Sequence, residues 1–164
     1  VWTRRTGIHQ RIEPGHLYEW TWLLHRAGAV LGADVADEAR ALYDFAGARG
    51  LNAATGLVFD GLDGETLTPQ RTYRSWCQTE ALKAHLAMFE HQGADTRAQI
   101  VASLDLLLDH YLAIPLAGGW CDRFADGFKP IAPDVPASIL YHLVLAFAEL
   151  LRLEPRLAAA GVGG

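Results

Sequence analysis

Residues 13–24 read Glu-Pro-Gly-His-Leu-Tyr-Glu-Trp-Thr-Trp-Leu-Leu, which is typical of the start of an apolar helix. Pro14 suits the first helical turn, where its missing N–H would have no intrahelical partner in any case. His16 and Glu19 are three residues apart, so a helix places both side chains on one face, with Trp20 beside them. The stretch therefore predicts a helix over residues 16–30 that carries polar side chains among apolar ones.

The same pattern occurs three times along the chain. A short strand with an aromatic residue, a polar turn, a proline and an apolar helix recur around Trp2, Phe59 and Trp120, about 60 residues apart. The predicted strands cover residues 1–3, 56–59 and 119–121, and turns follow at 61–64 and 126–127. Pro69 and Pro136 are predicted at helix entrances, and the second and third helices cover residues 72–91 and 137–153.

Two amphipathic helices separate these units, over residues 35–49 and 96–112, and Asp34 and Asp95 are expected to cap them. Helices with Trp, His and Glu among their apolar residues thus alternate with helices that have a solvated face. An ordinary bundle would have shorter connections than these loops. The order predicts an all-α fold, an (α/α)6 toroid of which about five helices form roughly half a barrel.

Composition bounds the function. The chain has 164 residues, 14 Lys+Arg and 19 Asp+Glu, giving a net charge of −5. This length predicts one domain over residues 1–164, and the absence of a basic stripe argues against nucleic-acid binding. The most apolar stretch, residues 137–153, contains charged residues and is too short to span a membrane. No signal peptide is visible, and only two cysteines occur, Cys77 and Cys121, which favours a cytoplasmic location.

The candidate site combines residues from the early turns of the three apolar helices. His16 and Glu19 come from the first, Trp76 and Glu80 from the second, and His142 from the third. If these helices surround one centre, their first turns meet at one mouth. Histidine can take and return a proton near neutral pH, and indoles, here also those of Trp20 and Trp120, suit stacking on sugar faces. The pattern indicates proton transfer on a polar, neutral substrate.

Structural interpretations stand beside these functional ones. Trp76 and Trp120 could be core residues, and Glu80 with Lys83 could be a helix ion pair worth about 0.3 kcal/mol. Asp122 and Asp126 are expected to serve turns. No H-E-x-x-H motif or cysteine cluster is present, so no metal site is predicted. The remaining histidines are expected to be surface or core residues: His9, His25, His85, His91 and His110.

Residues 13–24, 74–81 and 138–143, with Gly119-Trp120-Cys121-Asp122 before the last, resemble in order the motifs of the N-acylglucosamine 2-epimerase family. That family includes mannose and other aldose–ketose isomerases and cellobiose 2-epimerases. The resemblance implies an (α/α)6 barrel with its active site at the loop end. It further implies that His16 and His142 are the acid/base residues and that no metal or redox cofactor is needed. Glu19 would hold the first histidine or the sugar, Trp76 would line the pocket, and Glu80 would position hydroxyls.

The chain departs from the family in length. Members are about twice as long or more, and the part without a counterpart here is the N-terminal half of the barrel, which supplies an arginine and a further histidine. The start at Val1 rather than Met and the length together predict the C-terminal half of a longer domain, or a homo-oligomer. Cys77 also stands where members often have a second aromatic residue.

The predicted activity is aldose–ketose isomerisation of the mannose–fructose kind through a cis-enediol(ate), acting on a small sugar. N-acylglucosamine 2-epimerisation is the alternative, and a catalytically incomplete half-barrel or interaction module is an alternative of another class. Mannose 6-phosphate stays open as a substrate because four basic residues could bind a phosphate: Arg71, Arg74, Arg123 and Lys129.

Overall fold

The computed structural model describes residues 11–131 and 134–161, and this part of the chain contains five α-helices. They are α1 (Pro14–Leu31), α2 (Ala36–Arg49), α3 (Ser75–Gln92), α4 (Arg97–Leu106) and α5 (Leu140–Ala159). The predicted strand at residues 1–3, together with His9 and Pro133, lies outside the described residues. The predicted all-α class is confirmed.

Helix α3 is the centre of the molecule. It packs against α1 on one side and α5 on another, while α2 packs mainly on α1 and α4 on α3. Every residue of α3 from Ser75 to Met88 is buried, including its polar ones. Helices α2 and α4 each bury only two residues, as expected for an outer layer with a solvated face. The predicted alternation of inner and outer helices is therefore correct.

The loops at the start of the inner helices form two small antiparallel sheets. One contains β1 (Arg11–Ile12), β2 (Gly61–Asp63) and β3 (Pro69–Gln70), and the other contains β4 (Thr72–Arg74), β5 (Arg123–Ala125) and β6 (Lys129–Pro130). The turn predicted at residues 126–127 joins β5 to β6, and Gly127 has a φ of 69° there, which favours glycine.

The predicted strands at residues 56–59 and 119–121 are wrong in position. The strands begin at Gly61 and Arg123, and residues 61–63 of the turn predicted at 61–64 form β2. The reason is that the earlier segments bind other elements. The Val58 N–H donates to the Gln78 side chain, and the Cys121 N–H donates to the Tyr111 carbonyl.

The start of α3 was also predicted three residues early, and Pro69 lies in β3 rather than at a helix entrance. Residues 72–74 instead pair with β5. The Arg74 N–H donates to the Asp60 carboxylate and the Ser75 N–H to the Asp122 carbonyl, each at 2.8 Å. These two loop acceptors fix where the helix begins, and helical periodicity in the sequence does not report them.

The predicted helix caps are partly wrong. Val35 occupies the cap position of α2, although Asp34 does accept the Ala36 N–H at 3.1 Å. Asp95 does not cap α4, which begins at Arg97, because its carboxylate binds the Arg97 guanidinium at 2.7 Å. Helix α4 continues into one π-helical turn, Leu107–Tyr111, which buries Leu107 and Tyr111 in the core.

Helix α5 follows a 3-10 turn, Ala137–Ile139, and extends six residues beyond the predicted end at 153. It passes through Pro155 because Leu153 and Leu157, one turn apart, are both buried in the main core. No helix within residues 11–131 and 134–161 is long and apolar enough to cross a bilayer.

Candidate active site

The first turns of the three inner helices meet at the loop end of the molecule. The indole of Trp76, in the first turn of α3, lies between two imidazoles. Its ring centre is 5.0 Å from that of His16 on α1 and 5.4 Å from that of His142 on α5. Residues far apart in the sequence thus form one layer of rings, as the repeat of the helix pattern led us to expect.

Gly15 permits the close approach of α1 and α3 at this layer. A Cβ atom at position 15 would lie 2.7 Å from two ring atoms of Trp76 and 3.0 Å from the Cys77 sulfur. These distances are shorter than carbon contacts in packed interiors allow. A glycine before His16 therefore sets the distance between the His16 and Trp76 rings.

His16 and Glu13 form what we call the exposed pair. The Nδ1 atom of His16 lies 2.7 Å from the Glu13 carboxylate, and the two side chains are 52% and 24% exposed. The other oxygen of Glu13 also contacts Arg11 at 3.2 Å and Arg74 at 3.4 Å. Of the two roles expected for Glu19, holding this histidine falls to Glu13, just before the helix, and binding the sugar stays a prediction.

His142 and Glu80 form the buried pair. The Nδ1 atom of His142 is 2.5 Å from Oε1 of Glu80, and the two side chains are 8% and 0% exposed. The second oxygen, Oε2, lies 2.8 Å from the Lys83 ammonium, which is 1% exposed. The ammonium also lies 4.2 Å from the ring centre of Trp22. The helix ion pair expected for Glu80 and Lys83 is present, but both charges are out of water, so the figure of about 0.3 kcal/mol for an exposed pair does not apply to it.

Glu19 faces the buried pair. Ligand atoms of Glu19, Glu80 and His142 all lie within 4.8 Å of one another, a distance compatible with a divalent cation. Both oxygens of Glu80 already have partners, however, in His142 and Lys83. A cation would have to compete with the Lys83 ammonium for that carboxylate. The donor set therefore fits a metal poorly, and Glu19 has the place of a group that could accept hydroxyl protons.

Tyr141 lies beside His142, with ring centres 3.8 Å apart. Burial, together with the nearby carboxylates of Glu19 and Glu80, raises the pKa of Tyr141, so its hydroxyl keeps its proton at neutral pH. The groups around His142 thus include a phenol that can donate a hydrogen bond and carboxylates that can accept one.

The other two tryptophans proposed for the site do not join this layer. Trp20 is 54% exposed on α1, and Trp120 is 7% exposed in the loop before β5. Neither makes a ring contact with the His16, Trp76 and His142 layer within the part of the chain described. The Nε1 of Trp120 is buried without an acceptor among those residues. Their role in substrate binding stays a prediction.

Asp60 anchors the loops that support the site. It is 2% exposed and accepts bonds from the Arg74 backbone, the Arg74 side chain and the Thr72 hydroxyl. Asp122 binds Ser75 at the start of α3, and burial raises the pKa of its carboxyl. Asp126 lies in the turn expected for it, but its carboxylate also binds the side chains of Arg71 and Tyr73.

The remaining described histidines are outside the site, as predicted. His85 is buried near the middle of α3, where its Nδ1 lies 2.8 Å from the Tyr43 hydroxyl. Burial lowers the pKa of His85 to about 3, so the ring is neutral. His25 stacks on His91, and His110 stacks on Phe128.

Sequence reasoning missed the roles of Glu13 and Lys83. Glu13 stands three residues before His16, the same spacing as Glu19 after it, so the sequence offered two equivalent partners. Lys83 is charged and is buried together with the rest of residues 75–88. A lysine in such a run is the signal that could have drawn attention to it, because an unpaired lysine is rarely fully buried.

The helical layers and the ring layer at their loop end define a class of protein, the α/α toroids. Several solved structures share the fold, among them the following two. A D-mannose isomerase superimposes with a TM-score of 0.76 at 20% identity, over 86% of this chain and 37% of that one. A cellobiose 2-epimerase from Spirochaeta thermophila DSM 6192 superimposes with a TM-score of 0.74 at 19% identity, over 92% of this chain and 41% of that one.

The chain belongs to the N-acylglucosamine 2-epimerase family, whose model matches residues 2–146. It is also 32% identical over 154 residues to a mannose-6-phosphate isomerase from Rhizobium meliloti (strain 1021). That match covers 91% of this chain and 40% of the relative. The chain therefore spans about two fifths of the length of the proteins it resembles.

Proposed function

We propose that this chain carries the acid/base residues of a sugar isomerase that interconverts an aldose of mannose configuration and its ketose. The observation that supports it is the pair of imidazoles on either side of Trp76, each bound through Nδ1 to a carboxylate. Because Nδ1 is occupied in both, Nε2 is the nitrogen that each ring has available for a substrate.

The reaction needs a base that removes the proton from C2 of the opened sugar. His142, held by Glu80, has the burial that such a base requires, and its Nε2 would accept that proton. The C2–H electron pair then forms the C1=C2 bond of a cis-enediolate as the C1 carbonyl oxygen gains charge. The proton of the C2 hydroxyl moves to O1, the O2 electron pair forms the C2 carbonyl, and the C1=C2 electron pair takes the proton back from His142 at C1, which gives the ketose. His16 would exchange protons with the ring oxygen during opening.

Binding of the sugar would use the other groups of the layer. The Trp76 indole offers an apolar face between the two imidazoles, suited to the C–H face of a hexose. Glu19 would accept hydroxyl protons on the side of the buried pair. A carboxylate at that position lets the site select a polyhydroxylated substrate over an apolar one.

We further propose that the substrate is not phosphorylated. Arg71 binds Asp126, Arg74 binds both Asp60 and Glu13, and the guanidinium of Arg123 lies 3.7 Å from Asp60. A phosphate would have to displace these carboxylates before it could use Arg71 or Arg74, and the Nε of Arg123, which has no hydrogen-bond partner among the described residues, is buried. Lys129, exposed in β6, is the remaining basic residue of the four considered. We expect mannose to be turned over with a kcat/KM at least about 10-fold above that for mannose 6-phosphate.

This chain covers about two fifths of each relative, which supports the interpretation of residues 1–164 as the C-terminal half of an (α/α)6 domain. On this interpretation, preceding helices or a second copy would cover an apolar stripe on α5. The stripe is exposed at three consecutive positions of one face: Tyr141, Val144 and Leu145. Both cysteines are free and buried, consistent with the proposed cytoplasmic location.

The test is an assay of the gene product that contains this chain, with mannose in deuterated water. Formation of fructose with deuterium incorporated from solvent supports the isomerase. Inversion at C2 without a ketose product would replace it with the 2-epimerase alternative, for which N-acylglucosamine is the second substrate to assay. Absence of both exchange and product, in a folded sample, would favour the catalytically incomplete module.

A further inference from the structure

We propose that Lys83 is a positioning residue that keeps His142 neutral and correctly oriented for proton transfer. For its catalytic consequence this inference rests on the proposed function, while its electrostatic part stands on the structure of the buried pair. Lys83 does not touch His142 directly. It acts through Glu80, whose two oxygens divide between the Lys83 ammonium at 2.8 Å and the His142 Nδ1 at 2.5 Å.

A lysine that is 1% exposed needs a compensating charge, because burial of an unpaired ammonium costs several kcal/mol. Glu80 provides that charge, and the electron-rich face of Trp22, 4.2 Å from the ammonium, adds a further attraction. Lys83 and Glu80 are three residues apart on α3, so the helix itself keeps the ammonium beside Oε2. The carboxylate is thereby held in one orientation, with Oε1 directed at His142.

The charges around His142 decide its protonation. Helix α3 contributes Glu80 and Lys83, helix α1 contributes Glu19, and α5 contributes the phenol of Tyr141. With Lys83 in place, the Glu80 charge is balanced and one carboxylate, that of Glu19, remains uncompensated near the ring. Without Lys83, the carboxylates of Glu19 and Glu80 both face the imidazole without a cation. Protonation of the ring then balances the negative charge of Glu80.

This arrangement has a direct consequence for catalysis. A base must be unprotonated before it can accept the C2 proton, and an imidazolium cannot do so. Lys83 balances Glu80 without placing that proton on His142, so the ring donates Nδ1–H to Oε1 and keeps a free electron pair on Nε2. The exposed pair has no such lysine, since its carboxylate is shared with Arg11 and Arg74 instead.

The first experiment replaces Lys83 by methionine, which keeps the length of the side chain and removes the charge. We expect kcat to fall about fivefold at pH 7, within the tenfold limit that a one-unit shift of the acid limb allows, with KM changed less than twofold, because the base is affected and the sugar contacts are not. The acid limb of the kcat profile should move to higher pH by about one unit, and activity should recover partly above it. Lys129→Met, an exposed lysine of the loops, is the matched control and should leave the profile in place.

A double-mutant cycle distinguishes this role from general destabilisation. If Lys83 acts through Glu80, then Lys83→Met in a Glu80→Gln background should change kcat less than about twofold, because the carboxylate it balances is gone. The double variant also leaves no unpaired buried charge, which provides a folded sample if Lys83→Met alone unfolds. Equal losses of kcat in both backgrounds would overturn the proposal.

A readout without turnover separates this proposal from the proposed function. The ¹⁵N signals of the His142 ring, assigned by their loss in His142→Asn, report its tautomer and protonation. In the unmodified protein they should show a neutral ring protonated at Nδ1 at pH 7, and in Lys83→Met a ring protonated at both nitrogens. An identical ring state in both proteins refutes the role of Lys83, whether or not the sugar assay succeeds.

Discussion

The exposed pair, His16 with Glu13, and the buried pair, His142 with Glu80, use the same atoms in two different environments. Each joins Nδ1 of an imidazole to a carboxylate, at 2.7 Å and 2.5 Å. The histidine side chain is 52% exposed in the first and 8% exposed in the second. Water screens the charges of the first pair, so its carboxylate mainly orients the ring. The charges of the second pair and of Lys83 are buried, so water does not screen them and they interact strongly.

The comparison teaches that one motif can serve two different tasks. A partly exposed imidazole can exchange protons with solvent and suits the opening of a sugar ring. A buried imidazole held at Nδ1 by a carboxylate suits removal of the C2 proton. The four predictions below test this division, beginning with the largest expected effect.

His142→Asn should cause the largest loss of kcat among these variants. Loss of the base is expected to lower kcat by about 1,000-fold, the middle of the range for general acid–base catalysis. Isomerisation assays and far-UV circular dichroism would be measured on the same samples. His91→Asn, at the opposite end of α3, is the control and should keep normal activity. Activity within tenfold of normal in His142→Asn would remove this residue from the mechanism.

The carboxylates of the two pairs should not be equivalent. We expect Glu80→Gln to lower kcat about 100-fold and Glu13→Gln only about 10-fold, because removal of a buried charge partner costs more than removal of a solvated one. The measurement is kcat for both variants at low and high ionic strength. Salt should reduce the difference between Glu13→Gln and the unmodified protein, and should not affect the Glu80→Gln defect. Equal losses would show that burial does not separate the pairs.

His85, on α3, is a buried imidazole that has no carboxylate partner among the described residues. Burial lowers its pKa from 6.5 to about 3, so the folded protein holds the ring neutral while the unfolded chain takes up a proton below pH 6.5. The stability that this residue contributes is therefore complete above pH 6.5 and is lost as pH falls towards 3. Between pH 6.5 and 4.5, the free energy of unfolding should fall by about 2–3 kcal/mol from this group.

Urea unfolding of the unmodified protein and of His85→Gln at pH 6.5 and pH 4.5 isolates the contribution of His85 to the free energy of unfolding, because the other titrating groups are common to both proteins. Burial raises the pKa of Tyr43 to about 12, so its hydroxyl keeps its proton and can donate to the glutamine side chain. The pH dependence should be about 2 kcal/mol smaller in the variant. Parallel curves for the two proteins would contradict the assignment of a neutral, buried His85.

Gly15→Ala tests the spacing between α1 and α3, and its expected effect is the smallest. The added methyl group would press on Trp76, with contacts of 2.7 Å to its ring, and shift the indole from its place between the two histidines. We expect kcat/KM to fall about fivefold while the fold is kept, since displacement of a binding face by less than an ångström weakens positioning.

Gly47→Ala is the matched control for that substitution. Gly47 also lies in a helix, but the nearest atom to an added Cβ is the Tyr18 hydroxyl at 3.9 Å, an ordinary contact. We expect unchanged kcat/KM and a gain in stability of about 0.5 kcal/mol from helix propensity. If both alanine variants lose activity alike, close contact with Trp76 is not what the glycine provides.

Much of the fold was predictable because its signals are local. Apolar spacing and prolines predicted the start of each helix within three residues, whereas the burial of the polar residues of α3 could not be read from them. The predicted helix ends were wrong where a residue distant in the sequence determines the boundary. Asp60 and Asp122 determine where α3 begins, and buried Leu157 extends α5 through Pro155, although proline normally indicates a helix end.

The sequence alone determined the order of helices, their division into inner and outer layers, and the residue types that reach the loop end. These properties follow from periodicity within one helix at a time. Only the tertiary structure decided which carboxylate serves which histidine. His142 and Glu80 are 62 residues apart in the chain, and the choice of Glu13 over Glu19 for His16 depends on where the chain enters α1. Burial of Lys83 likewise requires α1, α3 and α5 together, because desolvation is a property of the packed molecule.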